Sequence, residues 1–228
     1  MMTDTPTDQD QRLALYDRMA AELYVAVISD VLDALGHRHQ ILSARVGPVD
    51  RTLPPLVGRA HTVQFGARHE LVEAPYTTQI AAIDGLQPGD VAVQATGGNE
   101  DAAYWGELFS NAALGRGARG VVIDGYHRDT RKVVELGFPI FSTGARPLDL
   151  SGRAMAISYG RPIVCGGVRV EPGDVIFAEV DGIAVIPAAV VDEAVELAFA
   201  KVAAEDRARD DLREGALLSE VWARYKVL

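Results

Sequence analysis

Cysteine occurs once in the 228 residues, at Cys165, which excludes an intrachain disulfide and any multi-cysteine metal site. Lysine is nearly as scarce: Lys132, Lys201 and Lys226 are the whole set, so a Schiff-base mechanism has few amines to draw on. No apolar run approaches the roughly 20 residues that cross a bilayer. The opening MMTDTPTDQDQR is acidic and polar, unlike a leader with a basic and then an apolar region. A soluble, cytoplasmic protein with no membrane partner is expected. Positive charge is also short, with 22 Lys and Arg against 32 Asp and Glu and a formal net charge of −10. That balance opposes phosphate-backbone binding, so no nucleic-acid partner is expected. The histidines His37, His39, His61, His69 and His127 include one i,i+2 pair but no helical two-histidine zinc motif. Ser110 lacks the glycine pattern of a nucleophile elbow.

What is present is a 48% apolar chain, long enough to close one core and short enough that a single domain, 1–228, is the default. Leu15, Met19, Leu23, Val27, Val31 and Leu35 recur at i,i+4, predicting one or two helices over residues 8–35, with a break near Ser29 and Gly36 as terminator. A loop or short helix is expected over 70–83. Two segments, Leu86-Gln-Pro-Gly-Asp and Val170-Glu-Pro-Gly-Asp, read as turns that launch strands after Asp90 and Asp174. The β-branched run 121–123 reads as a buried strand, 130–136 as a short helix stopped by Gly137. Further strands are expected over 139–142, 163–170, 175–180 and 183–186, with Asp181-Gly182 as a hairpin turn. Pro187 opens a helix, and 187–228 forms a helical C-terminal extension whose charged part, 205–215, projects, packs on a neighbour or presents a solvated face. Mixed α/β follows as the fold class.

The informative stretch runs from Gly97 to Asp129. It passes from a strand through a glycine-rich loop into a small-residue helix, then through a second strand into a turn, so strand ends meet at a crevice. If the helix starts near Glu107, the free amide hydrogens of Leu108 and Phe109 can receive a carboxylate; Asn99 could instead cap a longer helix. Arg128 offers a planar fork of donors for a carboxylate, or pairs with Asp124 or Glu107 on the surface. Asp129 suits a hard cation, or caps the helix at Thr130. His127 lines the crevice or is an exposed turn residue. Tyr104 and Trp105 wall the pocket or pack in the core, and Asp124 fixes a turn.

Gly106-Glu107, Gly117-Ala-Arg-Gly120-Val-Val-Ile-Asp124-Gly125 and Arg128-Asp129 together resemble the family of 4-hydroxy-4-methyl-2-oxoglutarate aldolases and the related regulators of ribonuclease activity. Ile28-Ser29-Asp30, Val57-Gly-Arg-Ala-His-Thr-Val63, both Pro-Gly-Asp turns, Cys165-Gly166-Gly167 and Asp181-Gly182-Ile-Ala-Val-Ile-Pro187 carry the likeness from about Ile28 to Pro187. The resemblance implies a three-layer β/β/α swivelling-type domain assembled as a homotrimer or homohexamer, with active sites between subunits. By position it gives Arg128 the pyruvyl group of a small 2-oxo acid and Asp129 the magnesium, or manganese. The amides of Leu108 and Phe109 hold the keto-acid carboxylate. Glu107, where many members have aspartate, moves a proton through a bound water, and Glu205 corresponds to a glutamate donated by the adjacent subunit.

The expected activity is metal-dependent retro-aldol cleavage, with oxaloacetate decarboxylation through the same pyruvate enolate, because a cation and a guanidinium meet the oxygen that gains charge. A lysine Schiff base at Lys132 is disfavoured, since nothing near it indicates an apolar pocket. The rivals are a non-enzymatic relative that binds and inhibits a ribonuclease, and a lyase for another 2-oxo acid. The inhibitors are generally shorter at the C-terminus, so chain length favours the aldolase branch.

Overall fold

The structure, a computed structural model, describes residues 7–227; the first half of the polar opening that argued against a leader lies outside them. The chain begins with α1 (Asp8–Glu22) and α2 (Val25–Ala34), then β1 (Gly47–Pro48), β2 (Leu56–Ala67), α3 (Thr77–Asp84) and β3 (Asp90–Ala95). Next come β4 (Ala103–Trp105), α4 (Glu107–Gly115), β5 (Gly120–Ile123), β6 (Tyr126–His127), α5 (Thr130–Leu136), β7 (Ile140–Ser142) and β8 (Gly144–Ala145). The remainder is β9 (Ala154–Tyr159), β10 (Ile163–Cys165), β11 (Val168–Val170), β12 (Val175–Glu179), β13 (Gly182–Ile186), α6 (Val191–Arg213) and α7 (Leu218–Tyr225).

The main sheet has the order β1-β7-β5-β3-β2-β12-β13, with β9 also paired to β2. Strands β2, β3, β5 and β7 are parallel, and the rest join antiparallel. Strand alternation sorts side chains into separate cores. Val91, Val93, Val122, Ile176 and Val185 face inward with the β10–β11 hairpin. On the opposite face, Ala92, Val121 and Ile123 join residues of α3, α4 and α5, and Val175, Phe177, Ala184 and Ile186 pack under α1, α2 and α6. Residues 40–48 then tie the two edges together: Ile41 bridges Ala184 of β13, while Gly47 and Pro48 pair with Ser142 and Phe141 of β7. The sheet is thereby nearly closed.

Several expectations are met: α5, the β12–β13 hairpin at Asp181-Gly182, and both Pro-Gly-Asp turns, where Gly89 and Gly173 take φ of 90° and 99°. Others are corrected. The N-terminal helices part at Leu23 and Tyr24, both extended, and Ser29 lies inside α2. The i,i+4 pattern runs across the break because Met19, Leu23, Val27 and Val31 enter the same core. The single strand expected over 163–170 is a hairpin, because Gly166 and Gly167 take positive φ and turn the chain. Most of the charged segment 205–215 is exposed, as a solvated helical face is, and within it Ala208 is buried where α7 packs on α6.

Candidate active site

A second, three-stranded parallel sheet, β4-β6-β8, sets the site. Trp105 pairs with His127, and His127 with Ala145, so Gly106-Glu107, Arg128-Asp129 and Arg146 leave the carboxyl ends of three neighbouring strands together. Open parallel sheets hold ligands at such ends. The sequence places a crevice near here, but at the ends of β3 and β5; strands of two or three residues leave no periodic signal.

Helix α4 starts at Glu107 with Gly106 as its cap, while Asn99 sits in the preceding loop donating to the Arg153 carbonyl. Among the described residues no acceptor meets the amide hydrogens of Leu108 and Phe109, the open donors of the helix start. The Glu107 amide donates to Asp129 Oδ2 at 3.1 Å. Gly106 is glycine for space: a Cβ there would lie 2.6 Å from Asp129 Oδ2 and 3.1 Å from Arg128 Cγ.

Asp129 occupies the residue before α5 but its side chain caps nothing there; it turns back to α4. Its backbone is left-handed, φ 62° and ψ 30°, uncommon outside glycine. Oδ1 has no protein partner among the described residues, so Asp129 presents one hard oxygen donor. That fits magnesium or manganese, which bind through one or two carboxylates with waters completing the shell. Among the described residues no three His, Cys, Asp or Glu side chains gather into a fuller metal cage.

Arg128 pairs with neither Asp124 nor Glu107. Its Nη1 donates to Asp149 Oδ1 at 3.0 Å, and its Nε lies 3.9 Å from Asp129 Oδ2. The Tyr76 hydroxyl donates to the same Asp149 carboxylate, 2.6 and 2.7 Å from its two oxygens. Burial works to raise Asp149, but hydrogen bonds from Tyr76 and Ser151 and the Arg128 charge outweigh it, holding the carboxyl below its ordinary value. Desolvation, then the Asp149 contact, pushes the Tyr76 phenol up to about 12. Neither Tyr76 nor Asp149 was singled out from the sequence. Only the fold brings them to Arg128, from 52 and 21 residues away.

The remaining candidates separate. Glu107 meets the site through its backbone, while its carboxylate accepts from Asn111 Nδ2 at 2.7 Å along the helix. His127 is neither a crevice wall nor an exposed turn residue: it is 3% exposed, its ring nitrogens 2.8 Å and 2.9 Å from the hydroxyls of Ser142 and Thr130. Burial lowers its pKa. Tyr104 and Trp105 are core residues, and Ser110 accepts the Trp105 indole hydrogen. Asp124 is structural, accepting from the Thr96 and Gly166 amides. Lys132 is exposed, as expected for an amine without a pocket. Glu205 is engaged inside its own subunit, accepting from the Tyr24 hydroxyl and lying 3.9 Å from Lys201 Nζ; burial raises its pKa.

Two clefts flank the Arg128–Asp129 pair. One is bounded by Tyr76, Ile80, Gly106, Leu108 and Phe109, the other by Thr130, Ala145, Arg146 and Pro147.

A family model described as RraA-like, Aldolase/RraA, matches residues 25–185. The chain belongs to the RraA-like family. A Halalkalibacterium halodurans protein named "Putative 4-hydroxy-4-methyl-2-oxoglutarate aldolase" is 33% identical over 196 residues, 86% of this chain and 85% of that one. Protein DlpA of Legionella pneumophila is 30% identical over 200 residues; the match takes in 88% of this chain but only 32% of DlpA, so this RraA-like chain spans about a third of that relative. Among solved structures, Streptomyces coelicolor RraAS2, described as an unusual member of the RNase ES inhibitor RraA family, superposes with TM-score 0.79 at 30% identity, covering 90% of this chain and 98% of its own. An uncharacterised Pseudomonas syringae protein gives TM-score 0.82 at 28% identity, covering 99% and 98%. Both solved neighbours share the mixed α/β fold of this chain. No helix among the described residues is long and apolar enough to cross a membrane.

Proposed function

We propose that this RraA-like chain is a lyase for small 2-oxo acids, cleaving 4-hydroxy-4-methyl-2-oxoglutarate-type substrates to pyruvate and decarboxylating oxaloacetate through the same pyruvate enolate. The observation that carries the reading is the meeting of Arg128, Asp129 and the open amide end of α4 on one cleft. Aldolase-named relatives support the reaction class.

In this reading the amides of Leu108 and Phe109 take the keto-acid carboxylate and Arg128 directs its N–H groups at the pyruvyl oxygens. Asp149 and Tyr76 fix the guanidinium so that it need not reorganise as charge develops. The C3–C4 bond breaks and its electron pair moves into the keto group. The 4-hydroxyl gives up its proton as C4 becomes a carbonyl, and C3 then gains a proton to complete pyruvate. A magnesium or manganese ion on Asp129 would supply Lewis-acid stabilisation of charge on the keto oxygen. Glu107 takes the hydroxyl proton through a water, which requires its carboxylate to leave Asn111 and swing to the cleft. Oxaloacetate loses carbon dioxide from the same position with no hydroxyl proton to remove. The homotrimer or homohexamer implied by the resemblance belongs to the same proposal, and light scattering reads it.

The test is pyruvate release from both substrates. Chelation abolishes it and magnesium or manganese restores it, and Arg128→Ala and Asp129→Ala each cost about 3 kcal/mol or more of transition-state stabilisation. Glu107→Gln keeps decarboxylation and loses aldol cleavage. The likeness to RraAS2 favours a second reading, inhibition of a ribonuclease. A chain that turns over neither substrate with metal present but lowers ribonuclease activity overturns the lyase.

A further inference from the structure

The cleft on the far side of β6 is not explained by the pyruvyl end. Strand β6 is central in the small sheet, so its carboxyl end opens a cleft toward β4 and another toward β8. The β4-side cleft carries the open amides and the apolar wall of Tyr76, Ile80, Leu108 and Phe109. The β8-side cleft shares Arg128 and Asp129 but adds a second guanidinium, Arg146. The β4-side cleft holds ≈ 250 Å³ and the β8-side cleft ≈ 410 Å³, the second within the range of small-molecule sites and the first just below it.

Arg146 is built into this cleft. Its backbone amide donates to the His127 carbonyl, one residue before Arg128, so the two arginines leave adjacent strands side by side. Its guanidinium lies over the Tyr126 ring, 5.2 Å from the centroid, and donates to the Glu100 carbonyl. Among the described residues no carboxylate lies within salt-bridge distance of it, in a chain with ten more acidic than basic residues. A half-buried guanidinium held by a carbonyl and a ring keeps donors for an anion.

We propose that Arg146 is the specificity residue for the leaving half of the substrate, binding the distal carboxylate of a dicarboxylic 2-oxo acid. This rests on the pyruvyl reading at Arg128. The acid is then gripped at both ends across β6: its 2-oxo end by Arg128 and α4, its far carboxylate by Arg146, with the scissile bond over Asp129. Monocarboxylic 2-oxo acids use only the first grip.

The test compares wild type, Arg146→Gln and Arg146→Lys, using 2-oxoglutarate and pyruvate as binding probes with magnesium present, alongside cleavage of 4-hydroxy-4-methyl-2-oxoglutarate and of the monocarboxylate 4-hydroxy-2-oxopentanoate. A hydrogen bond to a charged group sets the expected loss: Arg146→Gln weakens 2-oxoglutarate binding and lowers kcat/KM for the dicarboxylate by about 10–100-fold. Pyruvate binding and monocarboxylate cleavage stay within about twofold of wild type, and Arg146→Lys recovers part of the loss, since it keeps the charge without the fork. Equal losses on both classes, or none, overturn the Arg146 assignment and leave the lyase standing. Absence of binding by pyruvate and 2-oxoglutarate alike, together with no turnover, overturns the pyruvyl reading and this subsite with it.

Discussion

Asp129 combines two demands that pull against each other. Its carboxylate must reach the start of α4, and its backbone must take φ 62° to do so. Left-handed backbone costs an ordinary L-residue about 1–2 kcal/mol, less for aspartate, and nothing comparable for glycine. Asp129→Gly is therefore expected to unfold about 1 kcal/mol later than Asp129→Ala in urea, both being inactive. Equal midpoints would mean that the turn relaxes once the carboxylate is gone. His127 gives a pH signature. Burial depresses its pKa below the ordinary 6.5, so below 6.5 the unfolded chain binds a proton that the folded one refuses. The stability from neutral His127 is complete above 6.5 and is lost as pH falls toward the folded value, with a slope of at most about 1.4 kcal/mol per pH unit. His127→Gln should flatten the fall in thermal midpoint between pH 7 and pH 5; an unchanged slope would assign the acid sensitivity elsewhere, His61 being next, its pKa also lowered by burial.

The junction of β4 and α4 is an element-scale device, since close approach of strand end, helix start and Arg128-Asp129 turn leaves no room for a side chain at residue 106. Gly106→Ala should cost about 1–3 kcal/mol of stability through overpacking, with a larger fractional loss of pyruvate release, because the added methyl displaces Asp129 Oδ2. Measuring urea midpoint and kcat/KM on the same samples separates the two. Elements written in local chemistry were legible: α5 ends at Gly137 and the β12–β13 hairpin turns at Asp181-Gly182, whereas the sequence left the start of α4 open between Glu107, where it lies, and a longer helix capped by Asn99. The β10–β11 hairpin was hidden because apolar residues flank its glycines on both sides. Within the site, Arg128, Asp129 and the α4 amides were legible as adjacent motifs. Tyr76, Asp149 and Arg146 were not, since an ordinary tyrosine, aspartate and arginine acquire meaning only from the strand ends they meet.

At the scale of the molecule, the inner core depends on residues 40–48 joining opposite sheet edges. Leu42 is 4% exposed there, its backbone amide bonded to the Ile183 carbonyl and its side chain seated where Gly166 leaves space. Leu42→Ala is expected to cost about 2–5 kcal/mol, read as a lower urea midpoint at unchanged slope. A markedly smaller loss would show that the closure is local and dispensable. Fold class was readable from the alternation of strands and helices, but closure was not, because residues 40–48 carry no periodic pattern.

The bridge between Ile41 and Ala184 also bears on how the molecule is made. A ribosome must release nearly all of the sheet before the stave at Ile41 can meet its partner, and contacts between such distant positions form slowly because the intervening loop has to close first. Until then the half-synthesised barrel stays open along one seam, with greasy strand faces in water, and that interval is when this protein most needs a chaperone.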